Sequence, residues 1–182
     1  RYGLGYEALA ALNPKLIYAT TTGYGPFGTN TKPSFDMTVQ ALTGLMTRLG
    51  EPGEPPIYLG MGSGDAYGGL MAAFAIAMAL YQRRRTGKGQ FLDASLYGSQ
   101  LFLAAPTLQR FLASRSPKYS RQVSRRDAHN PTWNVFPAQD RWIFVCAKND
   151  DATFAKLAGA IGHADLASEA RFASTAARRS HG

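Results

Sequence analysis

The chain has 182 residues, 45% of them hydrophobic and 12% aromatic, which supplies a core for one or two globular domains and excludes a disordered segment. Lys and Arg number 20 against 12 Asp and Glu, so a net charge of +8 calls for an anionic partner: nucleic acid, a phosphorylated cofactor or an acidic substrate. The single cysteine, Cys146, excludes an internal disulfide and a cysteine-based zinc site and fits a reducing cytoplasm; its place in a strand pattern predicts a core position.

The opening Arg1-Tyr2-Gly3-Leu4-Gly5-Tyr6 lacks the apolar stretch of a signal peptide. The closing Ala176-Ala177-Arg178-Arg179-Ser180-His181-Gly182 reads as a helix cut short, so the chain is expected to be a fragment of a longer protein. Between them, Glu7 to Leu12 has helical spacing and stops at Asn13-Pro14. Leu16 to Thr21 is a short strand, and Gly23-Tyr24-Gly25-Pro26-Phe27-Gly28 begins an irregular segment long enough to be functional. Phe35 to Leu49 reads as one helix, with Ser34 as its cap and Met37, Val39, Ala41, Leu42, Leu45 and Met46 on the buried side.

Glu51 to Pro56 is a stiff loop, Ile57-Tyr58-Leu59 an extended run, and Gly60-Met61-Gly62-Ser63-Gly64-Asp65 a glycine-rich lead into a helix from about Ala66 to Arg85. Its run from Gly68 to Tyr81 is apolar on every side, which predicts burial; it is shorter than the about 20 residues that a bilayer needs. Arg83-Arg84-Arg85 suits the last turn before Gly87. A strand at Gln90 to Ser95 completes an alternation of helix and strand, the order of an α/β domain. Leu96 to Leu112 is helical with a break at Pro106, and the polar, basic stretch after it is a linker. Thr132 to Phe136 and Trp142 to Ala147 form a predicted hairpin, and Asp151 to Ile161 a helix capped by Asn149 or Asp150. The expected domains are a large one over 1–112, a linker over 113–129 and the start of a smaller one over 130–182.

Asp65 carries two readings. As an N-cap it would accept hydrogen bonds from the first turn; left free at the positive end of a helix, beside glycines that admit a ligand, it could act as a nucleophile. Other motifs are weak. Gly62-x-Gly64-x-x-x-Gly68 with Asp93 has the wrong spacing for a dinucleotide loop, and no Walker-type Gly-Lys-Ser/Thr follows. His129, His163 and His181 lack metal spacing and read as solvated surface. Basic residues lie at helix ends and in the linker, so neither nucleic acid nor membrane is an expected partner, and no metal site is expected.

Asn13-Pro14-Lys15-Leu16-Ile17-Tyr18, Gly23-Tyr24-Gly25, Phe35-Asp36 with Gln40 and Gly44, and Gly64-Asp65 through Arg85-Thr86-Gly87-Lys88-Gly89-Gln90 together resemble the class III CoA-transferases. That family includes formyl-CoA transferase and carnitine CoA-transferase and is related to α-methylacyl-CoA racemase. Asn130-Pro131, Trp142 to Asn149 and Asp165 to Ala173 are similar to the family's smaller domain. The resemblance implies part of a Rossmann-like large domain, a linker and part of a smaller α+β domain, paired as interlocked homodimers. It implies coenzyme A, as acyl-CoA, and a carboxylic acid as substrates, with Asp65 attacking the thioester to form a mixed anhydride. Tyr24, Ser34, Phe35, Asp36, Gln40, Gly64 and Leu96 are the implied CoA-site residues, Leu96 lining the acyl pocket and Phe35 packing on the pantetheine arm. Racemases have His where this chain has Phe35, and Phe35 cannot move a proton. The glycine-rich flap of formyl-CoA transferase has no match around His129-Asn130-Pro131, which counts against formyl or oxalyl specificity. A non-catalytic CoA- or anion-binding module of the same fold, and a racemase, are the alternatives.

Overall fold

A computed structural model of the chain describes residues 2–127, 130 and 132–181. It has α/β character, with helices α1 (Tyr6–Leu12), α2 (Asp36–Leu42), α3 (Ser63–Thr86), α4 (Leu96–Leu103), α5 (Ala105–Ser114), α6 (Asp151–Ala160) and α7 (Thr175–His181). The strands are β1 (Ile17–Thr20), β2 (Gln90–Asp93), β3 (Trp133–Pro137) and β4 (Trp142–Cys146). The chain up to Gly50 together with Pro55–Arg121 forms one compact unit; Glu51–Glu54 and the chain from Gln122 onward form another.

In the first unit β1 and β2 pair in parallel, Ile17 opposite Gln90 and Thr20 opposite Asp93, so α3 is the crossover between them in the βαβ sense. The strand entries are locked where Gly89 N–H donates to Pro14 O at 2.8 Å, and a Cβ on Gly89 would stand 1.8 Å from Leu16 O. Tyr6, Tyr18 and Phe91 form a ring cluster with centroids 5.5–6.0 Å apart. Helix α3 touches α2, α4 and both strands.

Several elements differ from expectation. The helix predicted over Phe35 to Leu49 is broken: α2 ends at Leu42, Gly44 adopts φ +74° and a short 3-10 turn takes over Leu45–Arg48. The residue at the N-cap of α2 is Phe35, not Ser34, and no side chain caps it. Pro106 acts as foreseen, placed in the first turn of α5 where its missing N–H costs nothing. Ile57 to Leu59 is extended without joining a sheet, its N–H groups taken by Met46 O and Gln40 Oε1.

The largest correction concerns α3. It is 24 residues long and, by length and composition alone, apolar enough to cross a membrane. Within it only Gly64, Gly68 and Ala79 are buried, whereas Leu70, Phe74, Met78 and Tyr81 are exposed, Phe74 to 62%. Gly64 lies against Asp36 of α2 and Gln100 of α4, and Gly68 against Leu96, whereas those large apolar side chains stay exposed, so an all-round apolar pattern did not produce all-round burial. Two of the three largest fully buried side chains are polar: Gln40 and Gln100, beside Val39.

In the second unit β3 and β4 form the expected antiparallel hairpin, Trp133 opposite Cys146. Cys146 is exposed, contrary to the core position expected, because β4 buries little of either face, its only half-buried residue being Val145. Asp150 caps α6, its Oδ1 accepting Thr153 N–H at 2.8 Å. Arg178 of α7 lies buried over Phe154 and donates to Asp151 Oδ1 at 2.6 Å and Phe172 O at 2.7 Å. His163 and His181 are exposed, as expected; His129 and Pro131, and with them the flap comparison, lie outside the described residues.

Candidate active site

Three successive residues in the left-handed region, Gly60, Met61 and Gly62 with φ of +71°, +53° and +58°, turn the chain into α3. Met61 pays strain that the glycines avoid and projects into solvent. Gly62, not Asp65, is the N-cap, so Asp65 is the third residue of the helix and its side chain is not consumed by capping. Asp65 is exposed, and among the described residues its carboxylate has no hydrogen-bond or ion-pair partner. Its position at the helix start places negative charge where the aligned peptide dipoles favour it.

What holds this helix start is a second carboxylate. Asp36, 8% exposed on the first turn of α2, accepts Asp65 N–H on Oδ1 at 3.1 Å. Its Oδ2 accepts Gln40 Nε2 at 2.9 Å and the Tyr58 hydroxyl at 2.8 Å. The hydrogen bond to Asp36 holds the Tyr58 phenol above its usual value of 10.0, burial adding to the effect. Gln40, 1% exposed, also donates to Ser63 Oγ at 3.0 Å and accepts Leu59 N–H at 3.2 Å, so one side chain ties α2 to the extended run and to the first residue of α3. Gly64 is a matter of space: a Cβ there would stand 1.9 Å from Gln100 Nε2 and 2.2 Å from Asp36 Oδ1.

The structure therefore draws Asp36, Gln40, Gly64 and Asp65 into one network. Asp36 and Gln40 are buried with their polar atoms engaged by protein groups, whereas Phe35 beside them is 73% exposed. Leu96 opens α4, its N–H donating to Thr22 O, and its side chain lies against Gly68, where a Cβ would be 2.5 Å from Cδ2. Tyr24 and Ser34 sit on the loop leaving β1. Tyr24 faces the Tyr97 ring at 6.5 Å, and Ser34 closes on Gly23, where a Cβ would meet Oγ at 1.7 Å. Neither makes a hydrogen bond to the Asp65 network among the described residues. Asp93 ends β2 beside Gly25, its carboxyl raised above 3.8 by partial burial, and no strand immediately precedes the Gly62 to Gly68 stretch, so the dinucleotide reading has no structural support. An apolar cleft of about 380 Å³ is bordered by Leu45, Arg48, Leu101, Leu108 and Phe111; Asp65 does not line it. No group of three or more His, Cys, Asp or Glu among the described residues is placed to hold a metal.

Sequence reasoning missed Tyr58, Ser63 and Gln100. The signal for Gln100 was present: Ser99-Gln100 is a polar pair inside the otherwise apolar Leu96 to Leu103.

Comparison with known proteins decides the family. The model of CoA-transferase family III matches residues 1–182. The chain belongs to that family. It is 37% identical over 174 residues to an acetyl-CoA:oxalate CoA-transferase of Acetobacter aceti, covering 94% of this chain and 44% of that protein. It is 34% identical to a succinyl-CoA–D-citramalate CoA-transferase of Chloroflexus aurantiacus, covering 99% of this chain and again 44% of the relative. Among solved structures, a CAIB/BAIF family protein from Brucella suis superposes with a TM-score of 0.84 at 32% identity, over 99% of this chain and 47% of that one. The family III chain described here thus spans less than half the length of these relatives.

Proposed function

We propose that the protein moves CoA from an acyl-CoA to a carboxylic acid through a mixed anhydride on Asp65. The observation that carries this is the contrast between two acids 29 residues apart: Asp36 is buried with a hydrogen bond on each oxygen, whereas Asp65, anchored by its own amide to Asp36, presents an unspent carboxylate at a helix start. An Asp65 oxygen attacks the thioester carbonyl carbon, the carbon–sulfur bond breaks, and CoA leaves as the thiolate. The acceptor carboxylate then attacks the Asp65 acyl carbon and the donor carboxylate leaves; the CoA thiolate attacks the acceptor's carbonyl carbon, closing the new thioester and releasing the Asp65 carboxylate, so each acyl bond formed replaces one broken and no oxidant is consumed.

Relatives named for oxalate, D-citramalate and glutarate take dicarboxylic acids. A small dicarboxylate is the acceptor class we propose, consistent with the net charge of +8. The α/β unit around β1 and β2 is read as part of a Rossmann-like domain, with Tyr24, Ser34, Phe35 and Leu96 facing the CoA arm and Asp36 and Gln40 supporting Asp65 from behind. The exposed apolar side of α3 supports a homodimer rather than a membrane span, and an exposed free thiol at Cys146 suits the cytoplasm.

The test uses the full-length protein with acetyl-CoA or succinyl-CoA and a panel of dicarboxylates. Hydroxylamine should trap an adduct that maps to Asp65, and Asp65→Ala should abolish turnover. Retained turnover in Asp65→Ala sinks the assignment. CoA binding with no transfer to any acid would favour the binding module, and α-carbon deuterium exchange in a 2-methylacyl-CoA the racemase.

A further inference from the structure

The most deeply buried polar group beside the site is one that no step above uses. Gln100, on α4, is 0% exposed, and its Nε2 has no hydrogen-bond partner among the described residues. Buried amide donors are nearly always satisfied, so an orphan at this place asks for an acceptor within reach. One stands beside it. Gln100 Nε2 and Asp36 Oδ1 both crowd the point where a Gly64 Cβ would be, at 1.9 Å and 2.2 Å from it. Oδ1 carries only the Asp65 N–H and has a second lone pair to offer. The amide cannot be turned the other way without setting Gln100 Oε1 against the carboxylate, and Oε1 already lies 3.3 Å from the Thr43 hydroxyl.

We propose that Gln100 is a positioning residue for Asp65, donating from Nε2 to Asp36 Oδ1 and so fixing the carboxylate that anchors the Asp65 amide. It never touches substrate. It acts through Asp36, which holds the backbone of the nucleophile in the geometry needed for attack, and the absence of a side chain at Gly64 is what lets the amide approach. The inference rests on the reading of Asp65 as nucleophile, and its test separates the two.

In the full-length protein, turning over acetyl-CoA or succinyl-CoA with a dicarboxylate, Gln100→Met keeps the bulk and removes the donor. Expected is a kcat about 10-fold lower with the KM for acyl-CoA within about 2-fold, the mark of lost alignment rather than lost binding. Gln100→Glu sets a second acid against Asp36. Its activity should be lowest above neutrality and recover as the pH falls, because the protonated Glu again donates to Oδ1, while the wild type shows no such recovery. A packing role would leave the two pH profiles parallel. Parallel profiles for Gln100→Glu, or wild-type kcat for Gln100→Met, overturns the proposal. If neither variant folds, a crystal structure of the wild-type protein decides: Nε2 to Oδ1 within about 3.2 Å supports it, and a separation beyond about 3.5 Å overturns it. Should Asp65→Ala retain turnover, the function itself fails; should Asp65→Ala be dead and both Gln100 variants behave as wild type, only this inference does.

Discussion

Gly64→Ala isolates the space that the site needs. The added methyl would stand 1.9 Å from Gln100 Nε2, 2.2 Å from Asp36 Oδ1 and 2.9 Å from Gln100 Cδ, none of them free to move, because both side chains are buried. Forcing a methyl into such a place costs about 2 kcal/mol. Displacing Asp36 also breaks its charge-assisted bond from Asp65 N–H, about 2 kcal/mol more. Against these, alanine gains about 1 kcal/mol over glycine as a helix former. The net loss is about 3 kcal/mol, read as a lower midpoint in urea unfolding with unchanged slope. Gly69→Ala is the control: it lies on the same helix, exposed, with nothing within 4 Å of its added Cβ. It should stabilise by about 0.5–1 kcal/mol. If the two substitutions shift the midpoint in the same direction, the steric reasoning is wrong.

Other consequences follow from single contacts. Gly89→Ala should be poorly tolerated, because its Cβ would enter the Leu16 carbonyl at 1.8 Å and part β2 from the entry of β1; hydrogen exchange of the β1 amides should accelerate, and unchanged protection would refute the contact. The Tyr58 phenol, held above 10.0 by Asp36, contributes stability that is present below its unfolded value and lost as pH rises through the higher folded one. An absorbance titration should accordingly show a late-ionising tyrosine that disappears in Tyr58→Phe. Asp150 and Asp151 both lie below 3.8, held down chiefly by the Thr153 hydrogen bond and by Arg178 respectively. Their stabilisation is present above 3.8 and is lost as pH falls through the lower folded values, so α6 protection should weaken as the pH falls below 3.8, and less so in Asp150→Asn with Asp151→Asn. A maleimide should label Cys146 without unfolding; labelling only in denaturant would show that the exposed end of β4 is covered.

The sequence was most readable where local chemistry and tertiary demand agree. Asn13-Pro14 ended α1, Pro106 began a new helix, Asp150 capped α6, and two aromatic runs around Pro137 to Arg141 made the hairpin. It was least readable where one residue's backbone overrode a good side-chain pattern. Gly44 in the left-handed region ended a helix whose apolar spacing continued to Met46, and Gly62 took over the cap that residue type assigned to Asp65. Burial of α3 was misjudged for another reason. Periodicity says what a face prefers, not whether the chain supplies something to cover it, and this chain spans less than half of its relatives.

The site was half legible. Asp65 stood out as an acid at a helix start, whereas Asp36 entered only through the family resemblance, and their division of labour needed coordinates. Two carboxylates at one helix terminus repel unless they are used differently, and here one is sunk and spent on three neighbours while the other stays in solvent with its side chain unbonded among the described residues. Had Asp65 been the cap, its oxygens would have been bound to the first turn and attack on a carbonyl would first require breaking those bonds. By handing the cap to a glycine and the anchoring of the amide to Asp36, the fold fixes the nucleophile's backbone without occupying its side chain. The buried glutamines belong to the same solution: Gln40 satisfies Asp36 from α2 and reaches Ser63, and Gln100 brings a further donor from α4. A core built on glutamine rather than leucine gives up apolar burial, and it gains a carboxylate held firmly enough to steer its neighbour.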